Sequence, residues 1–248
     1  MSAIFISGVT SGLGQATAQL FIQNGWKVIG TGRRAERLES LRSELGENFL
    51  GLCFDIRDKA AVDAAIASIP EGFSQIAVLM NNAGLFVGTQ PVQTASMDDW
   101  ETMVQTNILG LLYCTRALLP GMLERGKGHV INIGSVTGTR ACRTGNVYGA
   151  SKAFVRHFSD NMRADLLGSP VRVTCIEPGR TRTEFSLVHS GGDVEASERD
   201  YLGGEPLLAE DIANTVWWVV NCPQRMNVSK IEVMPTCQAD AGTMFAKR

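Results

Sequence analysis

The chain has 248 residues, of which 44% are hydrophobic and 19% are charged, a composition that fits one globular domain and excludes intrinsic disorder. Its 23 Lys and Arg residues nearly balance 25 Asp and Glu residues, and the formal net charge of −2 argues against recruitment to nucleic acid or an anionic membrane. No apolar stretch approaches the roughly 20 residues that span a bilayer, and no basic segment typical of a signal peptide precedes the first apolar run, so we expect a cytoplasmic protein.

Short β-rich runs alternate with helical segments along the whole chain. The predicted strands cover residues 3–7, 26–31, 49–54, 76–80, 129–134, 171–177 and 228–234. The predicted helices cover residues 12–24, 35–45, 58–69, 97–123, 147–167 and 210–220. This alternation predicts an α/β fold in which about seven parallel strands carry helices on both faces. We find no linker or repeat, so residues 1–248 are treated as one domain.

Histidine and cysteine residues offer little to a metal ion. The six cysteines are scattered without C-x-x-C spacing, which predicts reduced thiols. The three histidines have no ligand spacing, so we expect no metal site.

A glycine-rich loop follows the first strand and opens the first helix. Gly8 permits a tight turn there, while Gly12 and Gly14 allow the backbone to approach a phosphate closely. The N–H groups at the start of the helix attract a pyrophosphate. The strand–turn–helix context predicts a Rossmann-type dinucleotide site, to which we assign Gly8, Thr10, Ser11, Gly12, Leu13 and Gly14.

The end of the second strand indicates which dinucleotide binds. An NAD site would place an acidic residue here for the ribose 2′-hydroxyl, whereas this chain has Arg33 and Arg34. Two guanidiniums suit a 2′-phosphate, which a carboxylate would repel. The sequence therefore favours NADP(H) over NAD(H).

Three residues at the predicted carboxyl edge of the sheet suggest proton-transfer chemistry. Ser135 follows the fifth strand, and Tyr148 and Lys152 lie one turn apart on the next helix. A free Tyr has a pKa near ~10, and we expect a Lys ammonium and a cationic nicotinamide to lower it. Tyr148 could then exchange a proton with a substrate hydroxyl while Ser135 holds the oxygen and Lys152 grips the nicotinamide ribose.

Together these motifs resemble the short-chain dehydrogenase/reductase family over nearly the whole chain. Matching residues are Gly8, Gly12, Gly14, Asn81, Asn82, Ala83, Gly84, Asn107, Ser135, Tyr148, Lys152, Pro178 and Gly179. The resemblance implies strand order 3-2-1-4-5-6-7, a cofactor part near residues 1–130 and a catalytic part near residues 131–248. It also implies a homotetramer.

The same resemblance implies further site residues. Asn107 would join a proton relay, Asp55 with Ile56 would lie near the adenine, and Thr183 would lie near the nicotinamide carboxamide. The other cofactor contacts would come from Asn82, Ala83, Gly84, Pro178 and Gly179. One departure is Ser7, where the family usually has Thr, and both residues carry a hydroxyl.

Several segments, including 31–34, 99–103 and 145–150, resemble NADP-dependent 3-hydroxy acid dehydrogenases more narrowly, and sulfoacetaldehyde reductases share this pattern. Four arginines near the expected pocket predict an anionic substrate: Arg140, Arg143, Arg180 and Arg182. We expect at least two of them to be structural, pairing with residues such as Glu184 or Asp193, and Arg143 is the best candidate for substrate contact. The arginine count favours sulfoacetaldehyde reduction slightly over serine, allo-threonine or 3-hydroxypropionate oxidation.

Three further hypotheses concern the role of the fold and its periphery. A non-catalytic dinucleotide-sensing regulator is the rival class, but such proteins commonly lose the Tyr or Lys that this chain retains. The polar, Gly-containing stretch 189–205 is interpreted as a surface loop or a substrate lid. The tail from residue 234 to 248 could close the pocket of a neighbouring subunit.

Overall fold

The computed structural model describes residues 1–199, 201 and 204–241. The strands are β1 (Ala3–Ile6), β2 (Lys27–Gly32), β3 (Phe49–Cys53), β4 (Ile76–Asn81), β5 (Gly128–Ile133), β6 (Val171–Pro178), β7 (Thr181–Arg182), β8 (Leu207–Leu208) and β9 (Lys230–Val233). Seven of them form one parallel sheet in the order β3-β2-β1-β4-β5-β6-β9, and β7 pairs with β8 separately. The predicted doubly wound parallel sheet is therefore confirmed, with the predicted seventh strand appearing as β9.

Helices cover both faces of this sheet. They are α1 (Gly12–Gln23), α2 (Ala35–Leu45), α3 (Lys59–Ala67), α4 (Met97–Val104), α5 (Leu111–Glu124), α6 (Asn146–Asp165), α7 (Phe185–His189), α8 (Val194–Arg199) and α9 (Ala209–Val220). One core cluster joins β1 to α1, α2 and α9, and a second joins it to α3, α5 and α6. Successive residues of β1 alternate between the two clusters because strand side chains point to opposite faces.

The predicted helix over residues 97–123 has a different internal structure. The segment Gln105–Gly110 is a π-helix between α4 and α5, and it buries Thr106, Asn107 and Gly110. Such segments inside α-helices are rare and occur frequently at functional sites.

The periphery contains short elements that the sequence did not predict. The stretch interpreted as a loop contains α8, and β7 precedes it. Trp217 packs edge-on against Phe21 with ring centroids 5.1 Å apart, whereas Trp218 is 54% exposed.

Residues 242–248 of the predicted closing tail lie outside the described residues. Within the described ranges, none of the helices combines the length and apolarity that a bilayer crossing requires.

His129 makes the stability of the fold depend on pH. It is buried in β5 with Nε2 2.8 Å from Thr174 Oγ1, and burial together with the nearby Arg172 lowers its pKa from 6.5 to about 3. The unfolded chain therefore binds a proton that the folded chain excludes. We expect the contribution of His129 to the free energy of unfolding to be fully present above pH ~6.5. As the pH falls toward 3, this contribution should decrease by up to about 1.4 kcal/mol per pH unit.

Urea denaturation between pH 7 and pH ~4.5 measures this dependence. The His129→Gln variant should lose stability less steeply with acid than the wild type. His157→Gln, at an exposed position of α6, serves as the control and should keep the wild-type slope. Parallel curves for wild type and His129→Gln would refute the assignment.

Candidate active site

The glycine-rich loop has the backbone conformation that its sequence predicts. Gly8 has φ +73° and Gly12 has φ +54°, a left-handed region that disfavours residues with a Cβ. A Cβ on Gly14 would overlap the Gly8 carbonyl oxygen. Helix α1 begins at Gly12 and has no acidic residue in its first turn, so its N-terminal N–H groups favour an anion.

Strand β4 fixes this loop through hydrogen bonds. Asn82 Nδ2 donates to the carbonyl oxygens of Ser7 (2.9 Å) and Gly8 (2.8 Å). Ser7 Oγ accepts from the backbone N–H groups of Asn82 and Ala83, both at 3.0 Å. The hydroxyl at position 7 therefore connects the ends of β1 and β4, and either Ser or Thr supplies it.

The two predicted phosphate-binding arginines point to different partners. The Arg33 side chain is 61% exposed, and its Nη1 lies 3.9 Å from Asp55 Oδ2. Arg34 folds over the glycine-rich loop, where its Nη2 donates to Thr10 Oγ1 (2.8 Å) and Ser11 Oγ (3.1 Å). Arg33 and Arg34 therefore do not converge on one point, and the guanidinium of Arg33 is the more exposed of the two.

Arg37 belongs to the same cluster but was not selected from the sequence. Its Nη1 donates to the Thr10 carbonyl oxygen (3.3 Å) and to Glu184 Oε1 (2.7 Å) and Oε2 (2.8 Å). The sequence could have indicated Arg37 through its position three residues after Arg34 at the start of α2, because this spacing places both side chains on one helix face.

The predicted adenine end lies beside this cluster. Asp55 Oδ2 lies 2.6 Å from Arg57 Nη2, and hydrogen bonds from Arg57 outweigh burial and lower the pKa of Asp55. Ile56 is buried, and a Cβ on Gly110 would lie 2.9 Å from its Cγ1. Asp55 therefore carries a carboxylate at this edge of the sheet.

The predicted catalytic side chains meet at the carboxyl end of β5. Ser135 Oγ accepts from Thr137 N (3.2 Å) and Thr137 Oγ1 (2.9 Å). The Ser135 and Thr137 side chains lie near enough to the buried Tyr148 hydroxyl to lower its pKa. Lys152 Nζ donates to the Ile133 carbonyl oxygen at 2.9 Å and lies 5.8 Å from the centre of the Tyr148 ring. The three predicted residues are therefore neighbours, with Thr137 as an unpredicted fourth.

Burial determines the proton affinities within this group. It raises the pKa of Tyr148 to about 12, against the lowering influence of the Ser135 and Thr137 hydrogen bonds. Burial also lowers the pKa of Lys152 to about 8. The predicted lowering of the Tyr148 pKa is therefore wrong for the protein's own groups, because desolvation of the phenolate dominates.

Asn107 joins the π-helical segment to this group. Its Oδ1 accepts from Leu85 N (2.9 Å), and its Nδ2 donates to Leu85 O (2.9 Å) and Ser151 Oγ (3.0 Å). A Cβ on Gly84 would lie 3.3 Å from Lys152 Nζ and 3.4 Å from Asn107 Oδ1. Asn107 and Lys152 thus converge on the space beside Gly84, and the proton relay through Asn107 stays a prediction.

An aromatic cover that the sequence analysis missed lies on Tyr148. The Phe86 ring stacks on Tyr148 with centroids 4.5 Å apart, and it also stacks on His189 at 3.9 Å. The Phe185 ring lies 5.7 Å from Tyr148. Phe185 and His189 bound α7, so the supposed loop region begins with part of the active-site wall.

The segment after β6 crosses the glycine-rich loop. Pro178 ends β6, and Gly179 N donates to Val233 O at 2.7 Å. Thr183 lies against the loop, since a Cβ on Gly12 would come within 3.2 Å of it. Thr183 therefore lies beside the predicted cofactor loop, and the contacts of Thr183 and Pro178 with a cofactor stay predictions.

Two of the four substrate arginines are held in ion pairs. Arg140 Nη1 lies 2.6 Å from Glu232 Oε2, and Arg182 Nη1 lies 3.0 Å from Glu198 Oε2. Arg182 also lies 4.5 Å from the Tyr201 ring centre, which argues against the prediction that it binds substrate. At least two structural arginines were predicted, and these two pair with Glu232 and Glu198 rather than with Glu184 or Asp193.

Substrate contact by Arg180 and Arg143 stays a prediction. Arg180 lies in the segment after β6, where its backbone N–H donates to Gln238 Oε1 at 2.7 Å. Arg143 is exposed shortly before α6. Among the described residues, no group of three or more His, Cys, Asp or Glu side chains is arranged to hold a metal ion.

A family model described as short chain dehydrogenase matches residues 2–189. This chain belongs to the short-chain dehydrogenase family. The dehydrogenase is 54% identical over 239 residues to a serine 3-dehydrogenase of Rhizobium radiobacter, covering 96% of each chain. It is 49% identical over 240 residues to the NADP-dependent 3-hydroxy acid dehydrogenase YdfG of Escherichia coli K12, covering 96% of this chain and 97% of that one.

Solved structures agree with this placement of the dehydrogenase. The closed form of a serine dehydrogenase complexed with NADP⁺ superposes with a TM-score of 0.95 at 48% identity, covering 99% of this chain and 100% of that one. A serine dehydrogenase from Escherichia coli gives a TM-score of 0.85 at 46% identity, covering 96% and 100% of the chains. The dehydrogenase is an oxidoreductase acting on CH–OH groups.

Proposed function

We propose that the dehydrogenase is an NADP-dependent 3-hydroxy acid dehydrogenase that oxidises the 3-hydroxyl of serine and related acids. The observation that carries this proposal is the 54% identity to a serine 3-dehydrogenase along 96% of both chains. The proximity of Ser135, Tyr148 and Lys152 supports it. Sulfoacetaldehyde reduction loses its main argument, because Arg140 and Arg182 pair with acids.

NADP(H) suits the residues at the glycine-rich loop. The uncapped start of α1 accepts a pyrophosphate, and the cluster of Arg33, Arg34 and Arg37 provides positive charge for a 2′-phosphate. When bound, the nicotinamide of NADP⁺ supplies the hydride acceptor. Lys152 has ammonium N–H groups beyond the one directed at Ile133, and these suit the ribose hydroxyls.

Proton transfer is assigned to Tyr148. The substrate hydroxyl lies between Ser135 Oγ and the Tyr148 oxygen, so Ser135 orients it and Tyr148 removes its proton as hydride leaves the same carbon. Thr137 fixes Ser135 through two hydrogen bonds. Lys152 stabilises the phenolate form, which burial otherwise disfavours. Arg143 and Arg180 are the proposed partners of the substrate carboxylate.

Replacing Arg33 tests the proposed phosphate contact. Because a hydrogen bond to a charged group contributes about 1.5–3 kcal/mol, Arg33→Ala should raise the Kd for NADPH by about 10- to 100-fold. The Kd for NADH should change less than about threefold, since NADH lacks the 2′-phosphate. Fluorescence titration of both nucleotides measures this. Equal weakening of NADPH and NADH would remove Arg33 from the phosphate site.

A substrate panel tests the reaction itself. The purified enzyme should reduce NADP⁺ with serine, allo-threonine or 3-hydroxypropionate at a higher kcat/KM than with isethionate. Preference for isethionate would overturn the proposal in favour of a sulfonate substrate. The homotetramer stays a prediction, which light scattering tests.

A further inference from the structure

A carboxylate from one side of the active site lies between two arginines from the other side. Glu184 Oε2 is 3.1 Å from Arg34 Nη1, and both Glu184 oxygens accept from Arg37 Nη1 at 2.7 and 2.8 Å. Although burial raises it, hydrogen bonds from Arg37 and Arg34 lower the pKa of Glu184 overall, so the side chain is ionised. We call Arg34, Arg37 and Glu184 the clasp.

The clasp connects the glycine-rich loop to the wall of the reaction centre. Arg34 and Arg37 both donate to Thr10 in the loop. On the other side, Glu184 stands between Thr183, which lies on Gly12, and Phe185, whose ring faces Tyr148. The carbonyl of Glu184 also accepts from Val188 N at 3.0 Å within the turn that leads to His189. The position of the Glu184 carboxylate therefore influences the position of Phe185 and His189, which belong to the aromatic cover of Tyr148.

We infer that Glu184 is a positioning residue, which holds the 181–189 segment over the reaction centre by engaging the arginines beside the 2′-phosphate site. The part of this inference that concerns substrate rests on the proposed function. Because the carboxylate and a 2′-phosphate both attract Arg34 and Arg37, Glu184 also moderates the preference for NADPH over NADH. Ion pairing that holds the 181–189 segment in place therefore lowers the affinity of the arginines for the 2′-phosphate.

Hydrogen exchange of the free protein tests the holding role without substrate. The side chains of the clasp are about 40% exposed, which limits each ion pair to a modest effect. We expect the amides of residues 185–191 to exchange roughly three- to tenfold faster in Glu184→Gln and in Arg37→Gln. The double variant should exchange no faster than Glu184→Gln alone, because that substitution already removes the ion pairs with both arginines. Wild-type exchange in Glu184→Gln, or additive effects in the double variant, would overturn the inference.

Glu36→Gln is the matched control for charge. Glu36 is exposed in the first turn of α2 beside Arg37, so the substitution removes the same charge from the same region. Its exchange pattern and its nucleotide affinities should equal those of the wild type. Acceleration as large as in Glu184→Gln would assign the effect to general electrostatics and overturn the inference.

Binding and turnover then separate positioning from a simple loss of structure. Glu184→Gln should bind NADPH about two- to fivefold more tightly and NADH unchanged, because both guanidiniums lose a competing anion. Its KM for the best panel substrate should rise about three- to tenfold. Weaker NADPH binding with an unchanged KM would overturn the inference.

The failures of the two proposals are distinguishable. Faster exchange and tighter NADPH binding in Glu184→Gln, in an enzyme that ignores 3-hydroxy acids, would support the clasp and refute the substrate assignment alone. Turnover of serine by the wild type, together with unchanged hydrogen exchange in Glu184→Gln, would support the substrate assignment and refute the role of the clasp.

Discussion

Replacing Tyr148 by Phe is expected to lower kcat by about 10³-fold in both reaction directions, because the substitution removes the only atom that exchanges the proton. The remaining ring keeps its stack on Phe86, whose centroid lies 4.5 Å away. The fold should therefore persist, and the Kd for NADPH should stay within about threefold of the wild type. Steady-state kinetics and fluorescence titration of the same preparation measure both quantities.

Tyr113→Phe is the matched control, since it deletes the same hydroxyl from α5, a helix on which no catalytic residue is placed. It should retain wild-type kcat. More than a tenth of the wild-type rate in Tyr148→Phe would contradict general acid–base catalysis by this residue. Such a result would also revive the dinucleotide-sensing alternative, in which the phenol has no chemical duty.

Replacing Lys152 by Met is expected to change the pH dependence as well as the rate. Oxidation requires Tyr148 to give up its proton, and burial is the largest cause that raises the pKa of Tyr148 to about 12. Lys152 is an ammonium below its pKa of about 8, and this charge favours the phenolate. Without it, the pH at which kcat/KM for oxidation levels off should move upward by at least ~1 unit.

At a fixed neutral pH, each unit of that shift costs about a factor of ten in the rate of oxidation. The exposed Lys127→Met substitution is the control and should leave the profile unchanged. Circular dichroism should show an intact fold in both variants. A Lys152→Met profile with reduced height but the wild-type inflection would confine Lys152 to nucleotide binding.

Local patterns in the sequence were enough to predict the seven strands of the main sheet, the long helices beside them and the grouping of the catalytic side chains. The α2 helix has the predicted bounds, because Glu and Arg residues on one face and Leu on the other give a clear helical period. Ser135, Tyr148 and Lys152 could be grouped because parallel strands bring their carboxyl ends to one edge. The π-helical segment at Asn107 escaped prediction because hydrophobic periodicity does not distinguish it from the helix around it.

Long-range pairing was what the sequence could not provide. Arg140 pairs with Glu232 and Arg182 pairs with Glu198, both far away in the sequence, so counting arginines near the catalytic residues overstated the charge open to a substrate. The proton affinity of Tyr148 was also misjudged, since the sequence shows Lys152 one turn away but not how completely both are buried. The aromatic cover of Tyr148 comes from two separate segments, one with Phe86 and one with Phe185 and His189, whose proximity depends on the tertiary fold.

Isotope transfer tests the central claim most directly. Serine with both hydrogens of its hydroxyl-bearing carbon replaced by deuterium should deliver one deuterium to NADPH and keep the other in the aldehyde, and mass spectrometry of the NADPH formed in one turnover measures this. The account predicts one deuterium per NADPH formed and none in the solvent, with slower turnover than for unlabelled serine. Unlabelled NADPH, or deuterium released to water, would contradict hydride transfer from the 3-carbon at the Ser135–Tyr148 centre.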